Sequence, residues 1–99
     1  MRLAFALALL ATVPGSAEPP AASKHIQKIM AKGDGLTEAT AFKASSVRDE
    51  YEIAAALGVK VHSQALVLMK KPYDLLEGED ATGQKRELWF DISGFYPEF

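Results

Sequence analysis

The sequence predicts a small α+β domain in which one or two helices pack on a three- to four-stranded antiparallel meander. Two stretches in the first half carry apolar residues at helical spacing, and each follows a serine suited to capping a helix. After Gly58 the apolar period changes to two, and strand-like stretches alternate with short turns. The chain has no cysteine, so the fold must be held by burial of apolar side chains without disulfides.

Residues 1–17 have the composition of a cleavable secretory signal peptide. Met1-Arg2 is a positive start, Leu3 to Val13 is an uncharged apolar run, and Gly15-Ser16-Ala17 supplies small residues for cleavage. The apolar run would span only about 16 Å as a helix, well short of the ~30 Å hydrocarbon core of a membrane. The sequence therefore predicts an exported protein, periplasmic or secreted, cleaved at the end of this stretch or after Ala22.

Residues 18–23 are a linker rich in proline and alanine, and residues 24–99 form a single domain. Ser23 is suited to capping a short helix that runs to Lys32. One apolar stripe along this helix consists of Ile26, Ile29 and Met30.

The clearest helix begins after Ser46 and ends at Gly58. Ser46 is a good N-cap, and the carboxylates of Asp49, Glu50 and Glu52 favour the positive end of the helix dipole. Glycine commonly ends a helix because it adopts the left-handed cap conformation. The predicted core-facing side consists of Val47, Tyr51, Ala54 and Leu57, with Ile53 on its flank.

The second half of the chain contains the strands. The predicted ranges are a short strand over 40–44 and longer strands over 59–69, 73–78 and 87–93. Lys71-Pro72 forms the first turn, and residues 80–84 form the second, with Gly83 supplying a positive φ. Such short turns predict an antiparallel meander.

Composition excludes some partners. The net charge is −2 and the basic residues are scattered, so no basic face suited to nucleic acid is predicted. After removal of the signal no membrane association is predicted, and no motif indicates a cofactor. A protein or peptide partner is expected, and the sequence leaves the oligomeric state open.

The most specific prediction concerns one face of the last hairpin. If Leu75 and Phe90 point into the same core, and Thr82-Gly83 is a two-residue turn, then Asp74 lies directly opposite Asp91. Like charges directly across a ladder repel, so such a pair needs a shared proton, a cation or a basic ligand. The alternative is two solvated carboxylates. The predicted binding surface consists of Asp74, Leu76, Trp89 and Asp91.

Other candidate sites are weaker. His62 shares strand parity with Leu66 and Leu68, which are expected on the core face, so a metal site that joins His62 to the two aspartates is not favoured. Neither Ser63 nor Ser93 lies in a nucleophile motif such as G-x-S-x-G. The aromatic group either packs in the core or forms an exposed patch; its members are Trp89, Phe90, Phe95, Tyr96 and Phe99.

Short motifs in residues 33–96 resemble a group of short exported bacterial proteins of unknown function. The motifs are Gly33-Asp34-Gly35, Thr40-Ala41-Phe42, Glu50-Tyr51, Gln64-Ala65-Leu66, Tyr73-Asp74 and Phe90-Asp91-Ile92-Ser93-Gly94-Phe95. This resemblance implies a bacterial source and no particular activity. The architecture, with Tyr73-Asp74, a turn at Gly83 and Trp89-Phe90-Asp91, also looks like the PepSY domain, which implies an exported module associated with peptidase inhibition.

The leading functional hypothesis is an exported, non-enzymatic interaction module, because the chain is small and carries no complete catalytic motif. The first alternative is a small carboxylate-based enzyme or a cation-binding protein that uses Asp74 and Asp91. The second is a PepSY-like inhibitory module.

Overall fold

The computed structural model describes residues 22–97, and this range contains two α-helices, one short 3-10 helix and four strands. The elements are α1 (Lys24–Met30), η1 (Glu38–Thr40), β1 (Phe42–Lys43), α2 (Val47–Ala56), β2 (Lys60–Leu68), β3 (Pro72–Glu79) and β4 (Lys85–Asp91). The predicted α+β class is confirmed. The predicted signal peptide and most of the predicted linker lie outside the described residues.

Both predicted helix caps are present. The Ser23 hydroxyl accepts a hydrogen bond from the Ile26 amide at 3.2 Å, and the Ser46 hydroxyl accepts one from the Asp49 amide at 3.2 Å. These contacts satisfy amides that have no partner inside the helix, which fixes where α1 and α2 begin. At the other end, α1 stops at Met30, two residues before the predicted end.

The strands form one sheet in the order β1-β4-β3-β2. β2, β3 and β4 make the predicted antiparallel meander, whereas β1 pairs in parallel with β4. The sheet is therefore mixed, and the strand predicted over 40–44 is only two residues long. The chain crosses from β1 at one edge through α2 to β2 at the opposite edge.

The helices pack on one side of the sheet, which we call the covered face. Its central residues on β3 and β4 are Asp74, Leu76, Leu88 and Phe90, all at most 2% exposed. Successive strand residues point to opposite sides, so the other side, the open face, carries Tyr73, Leu75, Trp89 and Asp91. Within residues 22–97 no helix packs on the open face.

Some of the aromatic residues lie in or against the core, and Trp89 lies on the open face. Phe90 is fully buried in the core, and Phe95 and Tyr96 pack against the core cluster, as the core interpretation predicts. Trp89 lies on the open face, where its ring meets Tyr73 edge-on at 5.9 Å between centroids. Phe99 is outside the described range.

Candidate functional site

The predicted binding surface is divided between the two faces of the sheet. Asp74 pairs with Phe90, and Asp91 pairs with Tyr73, so the prediction that Asp74 lies opposite Asp91 is wrong. Asp74 and Leu76 lie on the covered face at 2% and 0% exposure. Trp89 and Asp91 lie on the open face, and the two aspartates form no common site.

The reason for this one-residue shift is the loop between β3 and β4. Pairing ends at Glu79 and Lys85, which leaves a five-residue loop in place of a two-residue turn. The Asp80 carboxylate shapes the loop by accepting hydrogen bonds from the amide and hydroxyl of Thr82 and from the amide of Gln84, at 2.6–3.1 Å. Changing the pairing by one residue reverses the face of every side chain on one strand.

Asp74 faces Glu50 of α2, which the sequence analysis placed among the carboxylates of the helix start. Glu50 is 0% exposed, and neither of its oxygens meets a donor among the described residues. Burial, a hydrogen bond to Asp74 and the negative charges of Asp74 and Asp49 raise the pKa of Glu50 to about 9. At neutral pH Glu50 is therefore a neutral acid that keeps its proton beside Asp74.

The spacing of residues along α2 indicates that Glu50 lies on its buried side. Glu50 precedes Ile53 by three residues and Ala54 by four, and both of these are buried. Residues three and four apart share one face of a helix, so position 50 belongs to the core-facing side of α2. A carboxylate there is unusual, because an unpaired charge in the interior is strongly disfavoured.

A chain of hydrogen bonds connects this pair with the surface. The Gln64 amide donates to Asp74 at 3.1 Å, and the Tyr51 hydroxyl donates to the Gln64 carbonyl oxygen at 2.7 Å. Tyr51 belongs to α2 and Gln64 to β2, so the network joins helix and edge strand over the buried acids. It fixes Asp74 in place but offers no opening through which a substrate reaches either carboxyl group.

Asp91 has a different environment. Its Oδ1 accepts hydrogen bonds from the amide and hydroxyl of Ser93 at 2.9 and 2.7 Å, and its Oδ2 accepts one from Lys71 at 3.3 Å. Burial raises the pKa of Asp91, but the hydrogen bonds from Ser93 and the nearby Lys71 ammonium outweigh it and hold that pKa below its ordinary value. A depression of about 170 Å³ between Lys43 and Lys71 adjoins this carboxylate.

A serine, a histidine and an aspartate meet where α1 approaches the start of α2. Ser45 Oγ donates to Asp49 at 2.6 Å, and His25 Nε2 lies 3.0 Å from the same Asp49 oxygen. In a nucleophilic triad the histidine uses separate nitrogens for serine and aspartate. Here Nε2 lies near both, and the serine proton goes to Asp49 rather than to His25. The arrangement ties the two helices together and does not activate the hydroxyl.

Three further features of the described region concern metal binding, membrane crossing and surface grooves. In residues 22–97 no group of three His, Cys, Asp or Glu side chains is placed to hold a metal ion. No helix in that range is long and apolar enough to cross a membrane. A shallow groove of about 380 Å³ lies between α1 and α2, lined by Ala22, Ser23, Ile26, Arg48, Tyr51, Glu52 and Ala55.

The most exposed strand is β2. Only Val61 and Val67 are half-buried, and the other seven residues of the strand are exposed. Leu66 and Leu68 lie on the core side of the sheet as predicted, but they are not buried there, since they are 47% and 62% exposed. They point to the covered face, since they pair with Asp74 and Pro72, but neither packs against the core cluster.

The outer edge of β2 pairs with no other strand of the described chain. An irregularity between Val61 and Ser63 interrupts its pairing with β3, and from Ser63 to Leu68 the pairing is continuous. This stretch is uncharged. It presents a straight row of backbone donors and acceptors, together with two exposed leucines on one face.

Comparisons with known proteins give one family. A family model described as a domain of unknown function, DUF4919, matches residues 19–98. No curated protein and no solved structure matches the chain.

Proposed function

Because the chain belongs to the DUF4919 family, a domain of unknown function, we propose a function from its own geometry: an exported, non-enzymatic interaction module that binds a partner protein. The binding surface in this proposal is the free edge of β2. A segment of the partner in extended conformation adds to this edge as a further strand, so that backbone hydrogen bonds provide affinity and alternate side chains provide specificity.

The observation that carries the proposal is the exposure of a nine-residue edge strand. Proteins usually shield such edges with short strands, prolines, charges or covering segments, because an open edge associates with other chains. The opposite edge of this sheet follows that rule, since β1 has only two residues. β2 combines full length with exposed Leu66 and Leu68, which makes it suited to receiving a strand.

A peptide-binding experiment tests the proposal. The probe is a nine-residue peptide that alternates valine and threonine, added to isotope-labelled protein purified from the periplasm of an expression host. We expect NMR shift changes concentrated in residues 60–68, because the new hydrogen bonds form there. A matched probe with alternate amides N-methylated keeps its side chains but loses ladder hydrogen bonds, and we expect no binding.

Two substitutions localise the binding. Leu66→Lys places a charge on an exposed position of β2, and we expect it to weaken binding of the valine-threonine peptide at least about tenfold. Leu36→Lys changes an equally exposed leucine, 55% accessible, outside β2 and provides the control. Equal binding of the N-methylated peptide, or equal weakening by both substitutions, would overturn strand addition at β2.

The export part of the proposal has its own test. The full chain, expressed in a Gram-negative host, is expected in the periplasmic fraction with a mature N-terminus at Glu18, as found by N-terminal sequencing. Retention of Met1 in a cytoplasmic fraction would contradict export without affecting the binding proposal.

The four residues of the binding surface predicted from the sequence differ in whether they can contact a partner. Trp89, half-buried on the open face, stays a predicted contact, whereas Asp74, Leu76 and Asp91 are 2%, 0% and 6% exposed and offer a partner little surface. Trp89→Ala tests whether Trp89 contacts the partner. Unchanged affinity for a partner that binds β2 would show that Trp89 is not part of the interface.

The alternatives proposed from sequence have less support. An enzyme or cation site shared by Asp74 and Asp91 requires the two carboxylates to meet, and they lie on opposite faces. A rise in melting temperature with millimolar calcium, magnesium or zinc would favour that alternative. A PepSY-like inhibitory role would be favoured by inhibition of periplasmic peptidases by the purified protein.

A further inference from the structure

The segment that surrounds the free edge of β2 differs in charge from the rest of the molecule. Residues 53–73 contain Lys60, Lys70 and Lys71 and no aspartate or glutamate, although the whole chain has a net charge of −2. Within residues 22–97 the acidic residues lie before this segment, between positions 34 and 52, and after it, between positions 74 and 91. β2 and the turn that follows it are therefore a basic strip, in the sense that all of their own charged residues are lysines; on the neighbouring strand β3, Glu77 and Glu79 bond to Ser63 at 3.3 Å and to His62 at 3.0 Å.

Two of these lysines have no ionic partner within residues 22–97. Lys71 bonds with Asp91 at 3.3 Å, whereas Lys60 and Lys70 make no ion pair in the described chain. Lys60 lies opposite Glu79 in the register, but that carboxylate contacts His62 at 3.0 Å. The charges of Lys60 and Lys70 are thus available to a ligand.

The position of the two lysines matches the strand they flank. Lys60 lies at the first residue of β2, and Lys70 lies in the turn two residues beyond its end; the strand between them spans about 26 Å. Between them lies the uncharged stretch from Ser63 to Met69, with Leu66 and Leu68 exposed on one face. A bound strand would place its middle on the leucines and its ends near the lysines.

We infer that the partner segment of β2 is an acidic polypeptide strand of nine or ten residues, apolar in its centre and carrying carboxylates toward both ends. This inference rests on the proposed function. A second copy of this chain fits the edge less well, because antiparallel self-pairing of β2 brings the same basic strip to both sides of the interface.

The test compares two peptides on the protein purified from the periplasm. Both alternate valine and threonine over nine residues; one carries three glutamates and the other three lysines at the same positions. We expect the acidic peptide to bind about tenfold more tightly at low ionic strength, as two or three exposed ion pairs allow. At 0.5 M salt the difference is expected to shrink to about twofold, because salt screens exposed charges.

Charge-reversal variants assign the effect to the two lysines. Lys60→Glu/Lys70→Glu is expected to reverse the preference of the protein between the peptides. Lys28→Glu/Lys32→Glu changes the net charge equally on exposed residues of α1 and its end, and is expected to retain the preference for the acidic peptide. Circular dichroism of both variants checks that each is folded.

The outcomes separate this inference from the proposed function. Equal binding of the two peptides at β2 would refute the acidic partner while leaving strand addition intact. Absence of binding by either peptide would overturn strand addition itself. Concentration-dependent dimerisation in analytical ultracentrifugation, abolished by Leu66→Lys, would show a second copy on β2 and also refute the acidic partner.

Discussion

The two sides of the β3–β4 hairpin both bury carboxyl groups, but they stabilise them in opposite ways. On the open face, Asp91 keeps its charge because Ser93 and Lys71 supply donors and a positive charge. On the covered face, neither Glu50 nor Asp74 forms an ion pair within residues 22–97, and Glu50 remains neutral by retaining a proton. A buried acid is thus tolerated either by pairing or by protonation, and the two solutions give stabilities that change with pH in opposite directions.

The largest expected effect comes from removing the titration of Glu50. Its pKa of about 9 in the folded protein lies above its ordinary value of 4.5, so its contribution to stability is complete below pH 4.5 and is lost as pH rises toward 9. Glu50→Gln keeps the shape and still donates to Asp74. We expect it to raise the free energy of unfolding at pH 8 by about 2–4 kcal/mol, measured by urea denaturation.

The same variant provides its own control at low pH. Near pH 4 Glu50 is protonated in both the folded and unfolded states, so the wild type and Glu50→Gln should differ little there. A difference between the two proteins that stays constant from pH 4 to 8 would show that Glu50 does not carry a raised pKa.

Asp91→Asn is expected to have the next largest effect on the free energy of unfolding, and this effect should depend on pH in the opposite direction. It removes charge-assisted hydrogen bonds from a buried site, so we expect a loss of about 1.5–3 kcal/mol at pH 7. Because the pKa of Asp91 is lowered, this contribution is present above pH 3.8 and is lost as pH falls through the folded-state value. Convergence of wild type and variant in acid, measured by chemical denaturation, checks the sign; a difference that grows in acid would contradict it.

Gln64→Ala is expected to reduce stability by about 1 kcal/mol at pH 7, because Asp74 loses one hydrogen bond from an amide at the surface. Thermal unfolding measures the loss. The matched variant is Gln84→Ala, since the Gln84 side chain makes no hydrogen bond in the described residues and its exposed position lies in the loop. Equal losses in the two variants would indicate that Gln64 does not support Asp74.

The smallest effect is expected from an exposed pair on the same helix as Glu50. Arg48 and Glu52 bond at 2.9 Å with side chains 85% and 42% exposed. We expect Glu52→Ala to lower the free energy of unfolding by about 0.3–0.5 kcal/mol, because water and salt screen such pairs. A loss above 1 kcal/mol in urea denaturation would mean that burial does not explain why the buried carboxyl groups affect stability more than the exposed Glu52.

The elements of the fold were predictable because each has a local signal. Ser23 and Ser46 begin the helices as expected, and Gly83 takes a positive φ of 83° in the predicted turn. β1 was the least predictable element, since its parallel pairing with β4 joins residues far apart in the sequence.

The candidate site was harder to predict because strand parity was ambiguous. Leu75 and Leu76 are adjacent, and Leu88, Trp89 and Phe90 are continuous, so either alignment brings apolar residues to the core. Because cores are usually apolar, the prediction placed Leu75 on the core side of β3 and Asp74 on the opposite side. The structure accommodates Asp74 because the protonated Glu50 of α2 lies beside it, and no pattern within one strand contains that information.

The exposed edge was missed for a related reason. An apolar stretch such as Ala65 to Met69 is typical of a strand buried on both sides, and sequence alone does not show where the helices end above the sheet. The absence of acidic residues from 53 to 73 was the available sequence signal for the partner contact that we propose at this strand.

The length of the five-residue loop that Asp80 organises determines which side chains of the hairpin face the core and which face solvent. Deleting one residue from it would leave β3 and β4 equally long, yet would rotate one strand by half a turn relative to the other. Phe90 would then face solvent while Trp89 moved inward. Relatives that differ here by a single residue should therefore display different outer surfaces on nearly the same backbone, and an even-numbered change should preserve the surface.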